Sequence, residues 1–149
     1  MSSPRDGAYA NLRSNRELLI AALAPLTPEQ MTVTAVDRWL VKDILAHLTS
    51  WEQIILIDLE RIKLGRTPAN YCRGTDDWNE FLMLGHENFG LEQVMTEFAE
   101  TRDAVMQTLD EIPEEAFAFG DLLGNLQIMA THDWQHATDI KAWCETSVG

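Results

Sequence analysis

Apolar side chains recur every three to four residues in four long stretches of the chain, and this spacing is the period of an amphipathic helix. The four predicted helices cover residues 6–24, 40–64, 91–112 and 121–143. Pro25, Gly65 and Pro113 follow the first three stretches and supply stop signals, because proline cannot continue a helix and glycine readily closes one. The pattern therefore predicts four long helices, each with one apolar face to bury.

The remainder of the chain is consistent with an all-α fold, because no stretch alternates apolar and polar residues over the length of a strand. Residues 65–90 form a long connection between the second and third helices, with a short extra helix predicted over residues 78–87. A connection of this length permits a crossover between parallel helices. We therefore expect a single domain, residues 1–149, built as a four-helix bundle of up-down-down-up topology.

The excess of acidic over basic residues excludes two classes of binding partner. The 149 residues include 11 basic and 24 acidic side chains, which give a formal net charge of −13. A field of this sign repels nucleic acids and anionic lipid surfaces, so we expect neither as a partner.

The N-terminal residues lack a basic flank followed by an apolar core, so no signal peptide is predicted. The longest uncharged apolar run, residues 18–26, is too short to span a bilayer. We expect a cytoplasmic protein in which Cys72 and Cys144 are reduced thiols, because their spacing matches no disulfide framework or CxxC motif.

A faint internal repeat pairs the predicted helices. The offset that superposes Pro28 on Pro113 also superposes His47 on His132, and Pro-Glu follows the first helix of each half. Each half is thus interpreted as a helix, a turn and a second helix that carries a histidine on its apolar face. Two such hairpins would bring the histidines towards each other inside a bundle.

The histidines are the strongest candidates for chemistry. His132 and His136 are four residues apart in a predicted helix, so their side chains leave the same face, separated by about 40° around the axis. This is the spacing with which a helix chelates a metal ion. His47 falls within the apolar stripe of the second helix. His86, in the connection, is interpreted as a surface residue.

A single histidine on an apolar face is usually a hydrogen-bonded core residue, and this remains the alternative for each of the three. Burial of three imidazoles without partners would cost about 1–3 kcal/mol for each unsatisfied polar group, whereas one divalent cation would satisfy all three. Three nitrogen ligands with open coordination positions favour Zn²⁺, with Ni²⁺ or Fe²⁺ as alternatives, and suit a catalytic site. Asp133 is a candidate for orienting a ligand or transferring a proton, while Glu52 and Asp58 are interpreted as ordinary polar positions.

Two motifs carry a resemblance to a known family. WLVKDILAHLTSWE at residues 39–52, followed far downstream by HDWQH at residues 132–136, resembles the DinB-like (DinB/YfiT) superfamily of metalloenzymes. The resemblance covers nearly the whole chain and includes LTPEQ at residues 26–30. Leu40 departs from it, since a Ser or Thr commonly caps the second helix there, which leaves the start of that helix open.

The resemblance implies an up-down-down-up bundle in which His47, His132 and His136 hold a divalent metal ion. It also implies a homodimer. Relatives include S-transferases that use bacillithiol, mycothiol-dependent isomerases and metal-dependent hydrolases, so a small-molecule substrate and a low-molecular-weight thiol are the implied partners. A bundle that binds or sequesters a ligand without catalysis is the alternative function.

Overall fold

The computed structural model describes residues 3–33, 35–36, 39–67, 76–118 and 121–147. The chain divides into two compact units, one formed by residues 1–41 and 114–149 and the other by residues 42–113. The elements in chain order are α1 (Pro4–Leu23), α2 (Pro28–Val33), β1 (Ala35–Val36), β2 (Trp39–Leu40), α3 (Val41–Lys63), α4 (Asp76–Leu84), α5 (Leu91–Glu111), a 3₁₀ helix (Glu114–Ala118) and α6 (Leu122–Ser147).

The first unit is built on α1 and α6. Helix α1 begins with a capping box, in which the Ser3 hydroxyl accepts a hydrogen bond from the Asp6 amide and the Asp6 carboxylate accepts one from the Ser3 amide. Its apolar stripe is buried through Leu12, Leu19 and Leu23. Full burial of a leucine contributes about 1.5–3 kcal/mol, so this stripe is a principal source of stability for the unit.

Helices α1 and α6 run parallel to each other. Asn11 contacts Gln127 and Arg16 contacts Asp133, so the residue numbers rise together along the two helices. The 3₁₀ helix packs on α1 through an edge-to-face contact between the rings of Phe117 and Tyr9, whose centroids are 6.4 Å apart.

Two short helices occupy the places where Pro-Glu turns were expected. Thr27 and Gln30 cap α2 reciprocally, each side chain accepting a hydrogen bond from the backbone amide of the other. A two-stranded antiparallel ribbon then pairs residues 35–36 with residues 39–40 and was not predicted. Leu40 belongs to this ribbon, and α3 begins at the next residue. A pairing of two residues per strand is too short to produce a visible alternation.

The second unit is built on α3 and α5, which also run parallel. Glu52 of α3 contacts Arg102 of α5, and further along Lys63 contacts Glu111. Helix α4 packs on α3, where the Trp51 indole N–H donates to the Asn79 side-chain oxygen at 2.9 Å. Gly65 ends α3 with φ 75° in a closing turn, a backbone conformation that glycine adopts without strain.

The described residues confirm the all-α class and place each predicted long helix within a few residues of its expected bounds. The final helix extends to Ser147, four residues beyond the prediction. Parallel helices within each unit are what an up-down-down-up bundle requires, but the complete topology and the single domain stay predictions. None of the described helices combines the length and the apolar composition that crossing a bilayer demands.

Candidate metal centre

His132 and His136 lie side by side on α6. Their ring centroids are 4.9 Å apart, with an angle of 45° between the ring planes, and both side chains are half-buried. The pairing follows from the helix itself, because residues four apart are neighbours on one face. The first unit therefore presents two imidazoles with the spacing of a helical metal chelate.

The protonation state of His136 suits a metal ligand. Burial, reinforced by repulsion from His132, lowers the pKa of His136 to about 4, against a smaller opposing attraction from Asp133. The ring is consequently neutral at pH 7. A neutral imidazole offers a nitrogen lone pair to a metal ion without first releasing a proton.

Asp133 lies between the two histidines in sequence and is bound by Arg16 of α1. The Arg16 Nε donates to Oδ2 at 3.0 Å and Nη2 donates to Oδ1 at 3.4 Å, so the contact is bidentate. Asp133 is 1% exposed and Arg16 7%. This contact supports a role for Asp133 in positioning α6. A role for Asp133 in proton transfer stays a prediction.

Arg16 was missed in the sequence, although a signal for it exists. It falls on the apolar stripe of α1, between Leu12 and Leu19, where a charged side chain requires a buried partner. Its partner lies 117 residues away in the chain, so no local pattern could identify it.

His47 belongs to the second unit. It lies on α3 and is 4% exposed, as its place in the apolar stripe predicted. The polar residues that follow it are accommodated by the helix itself, since the Thr49 hydroxyl donates to the Leu45 carbonyl and the Ser50 hydroxyl to the Ala46 carbonyl.

Glu52 and Asp58 are not ordinary polar positions on the surface. They are 4% and 3% exposed. The Glu52 Oε1 accepts a hydrogen bond from the Arg102 Nε at 2.6 Å, and Arg102 is itself 7% exposed. The second unit thus contains a buried ion pair comparable to the Arg16–Asp133 pair of the first.

The interpretation of His86 as a surface residue was wrong. Its side chain is 11% exposed and is surrounded by α3, the end of α4 and α5. The Nδ1 atom lies 3.1 Å from the Ser50 Oγ and 3.2 Å from the Leu82 carbonyl, while Nε2 lies 3.4 Å from a Glu97 carboxylate oxygen.

These contacts link Ser50, His86 and Glu97 in a row in space, but the three residues do not form a nucleophilic triad. Ser50 is 2% exposed and its hydroxyl donates to a carbonyl of its own helix, so it is inaccessible to a substrate. The contacts instead hold the turn after α4 against α3 and α5.

The structure thus brings His132 and His136 together in one unit and places His47 in the buried stripe of the other. Cys144 is a half-buried free thiol. Cys72 lies outside the described residues.

Comparison with known proteins identifies the family of this chain. The model of the DinB superfamily matches residues 11–140, a range that includes all three candidate ligands and Asp133. This match confirms the resemblance carried by residues 39–52 and 132–136. No curated protein and no solved structure matches the chain.

Proposed function

Because the chain belongs to the DinB superfamily, we propose that it is a metal-dependent enzyme that acts on small molecules. In this proposal, His47, His132 and His136 each contribute one imidazole nitrogen to a divalent metal ion. The enclosing fold is an up-down-down-up bundle, for which the parallel α1–α6 and α3–α5 pairs are the supporting observation.

The observation that carries the proposal is the paired arrangement of His132 and His136. Two half-buried imidazoles whose ring centroids are 4.9 Å apart can offer nitrogen lone pairs to the same ion, and the lowered pKa of His136 keeps that ring unprotonated at pH 7. A divalent cation binds such an arrangement. A set of three neutral nitrogen donors favours Zn²⁺ over harder cations such as Mg²⁺, which prefer oxygen ligands.

When bound, an ion with three protein ligands supplies Lewis acidity at its open coordination positions. The chain's own residues have other tasks. Arg16 and Asp133 join α1 to α6 beside the two histidines, and the burial of His136 keeps its nitrogen unprotonated.

For the reaction, we propose transfer of a low-molecular-weight thiol to a small electrophile, with hydrolysis as the second reaction. The net charge of −13 argues against polyanionic substrates, since these would be repelled before binding. A cytoplasmic location, where thiols are kept reduced, and a homodimer complete the proposal.

The test of the metal site is a binding titration. Protein purified without a nickel column and stripped with a chelator should bind one Zn²⁺ per chain. His132→Ala and His136→Ala should each weaken binding at least a hundredfold, and His47→Ala substantially. His86→Gln is the matched control, since it removes an imidazole but keeps hydrogen-bonding groups next to Ser50. Equal affinity in all four variants would refute the ligand assignment.

The test of the reaction is an assay of the metal-loaded protein with a panel of electrophiles, each offered bacillithiol, mycothiol, glutathione or cysteine, beside simple esters and amides. A thiol-dependent rate that disappears in His132→Ala supports transfer, and a rate without thiol supports hydrolysis. If the metal-loaded protein binds a compound tightly and returns it unchanged throughout, it is a sequestering bundle and the enzymatic proposal is wrong.

A further inference from the structure

Each unit contains a buried ion pair that joins a histidine-bearing helix to a helix without histidine. In the first unit Arg16 of α1 binds Asp133 of α6, the residue next to His132. In the second, Arg102 of α5 binds Glu52 of α3, five residues after His47. All four charged residues are at least 93% buried.

Stability alone is a poor explanation for these pairs. Removal of two charges from water costs about as much as their attraction returns, and apolar residues of similar volume often stabilise a core equally well. Arg16 stands on the same stripe as Leu12 and Leu19, where another apolar side chain would pack against α6. A pair at such a position is better explained by a function that apolar contacts do not perform.

That function is control of helix rotation. Apolar side chains pack acceptably over a range of helix rotations. The hydrogen bonds from a planar guanidinium to a carboxylate form only within a narrow range of rotations. Imidazole nitrogens lie about 6 Å from the axis of their helix, so a rotation of about 10° moves them by about 1 Å. Metal-ligand distances tolerate only about 0.2 Å, so a helix free to rotate by this amount would lose its ligand geometry.

We infer that the two buried ion pairs are positioning devices for the metal ligands: Arg16, through Asp133, sets the rotation of α6 and the direction of His132 and His136, and Arg102, through Glu52, does the same for α3 and His47. The inference rests on the metal-binding function proposed above. It assigns no contact with metal or substrate to the two arginines, which act through the helices they hold.

The test replaces each pair by apolar residues of similar size. Arg16→Met with Asp133→Leu should keep or raise the melting temperature of the metal-free protein while weakening Zn²⁺ binding at least tenfold. The Co²⁺-loaded protein should show an altered absorption spectrum, because that spectrum reports ligand geometry. A merely structural pair would change the melting temperature and leave the spectrum of the folded protein intact.

The second pair has a matched control on the same two helices. Arg102→Met with Glu52→Leu should weaken Zn²⁺ binding at least tenfold. Lys63→Met with Glu111→Leu removes an ion pair of 2.7 Å between α3 and α5 whose side chains are 30% and 47% exposed, and it should leave binding unchanged. Equal losses in both double variants would overturn the inference, because the loss would then follow any weakening of this helix pair.

A more conservative variant tests the inference if the apolar replacements fail to fold. Arg16→Lys keeps the charge and loses the planar fork, so it should fold and bind Zn²⁺ several-fold more weakly. Binding equal to that of the unaltered protein would overturn the role of the guanidinium.

A final measurement separates this inference from the proposed function. In metal-free protein labelled at histidine, the NMR signals of His132 and His136 should shift or double in Arg16→Lys, which leaves the Asp133 charge next to His136 unchanged, while those of His86 in the other unit stay in place. If the unaltered protein binds no metal but these signals still change, the metal-dependent function is wrong and the positioning role stands. If metal binds and neither affinity nor signals change in the variant, the positioning role is wrong and the function stands.

Discussion

Acid should destabilise the metal-free protein through His136. Burial lowers the pKa of this imidazole to about 4, whereas the same group in the unfolded chain has the ordinary value of 6.5. Between these values the unfolded chain binds a proton that the folded chain does not. The free energy of unfolding therefore falls as the pH drops through this window, and the contribution is constant above about pH 7.5.

The size of the effect follows from the two pKa values. Each pKa unit of difference corresponds to about 1.4 kcal/mol, so the full loss exceeds about 3 kcal/mol once the pH is below 4. At pH 4.5 most of it, about 2–3 kcal/mol, is already present. This is a large part of the total stability of a typical domain, about 5–15 kcal/mol.

The assay is urea unfolding at pH 7.5, 6.0 and 4.5 with a chelator present, so that competition between protons and metal ions does not contribute. Because other groups also titrate, unaltered protein is compared with His136→Gln, which has no imidazole at this position. The difference in unfolding free energy between the two proteins should shift by about 2–3 kcal/mol in favour of the variant from pH 7.5 to 4.5. A difference that is independent of pH, or that shifts in favour of the unaltered protein, would show that His136 is not held neutral by burial.

Two further outcomes are expected. Gly65→Ala should destabilise the protein by about 1 kcal/mol, because φ at this position is 75°. Gly124→Ala, in the first turn of α6 with open space around a new Cβ, should stabilise it by at most about 1 kcal/mol. Urea unfolding measures both, and a stabilising Gly65→Ala would contradict the observed end of α3. Zn²⁺ at a thousandfold excess over its Kd should raise the melting temperature by about 10 °C, from about 4 kcal/mol of binding free energy, and His132→Ala should lose this shift in thermal unfolding followed by circular dichroism.

The elements that sequence reasoning located correctly depend on local physics. The apolar period of α5 and the proline after it placed both ends of that helix within one residue. Gly65 was expected to close α3 because no other residue adopts a positive φ as readily, and it does so. The pairing of His132 with His136 follows from helix geometry alone, so it too could be predicted without a structure.

The buried charges could not be placed in this way. A charged residue on an apolar stripe, such as Arg16 or Glu52, indicates that a partner is needed but not which one. The partner of Arg16 lies 117 residues away, and that of Glu52 lies 50 residues away. His86 was misassigned for the same reason, since its burial depends on Ser50 and Glu97, which belong to other helices.

The sequence by itself therefore determined the four long helices, all but one of their ends to within two residues, and the helical pair of imidazoles, because each depends on residues within one or two turns. Only the tertiary structure decided that α1 lies parallel to α6 and α3 to α5, and that each pair of helices is joined by a buried arginine and carboxylate. The physical reason is that a buried charge is stable only beside its counterion, and the chain brings the two together only after its helices have packed.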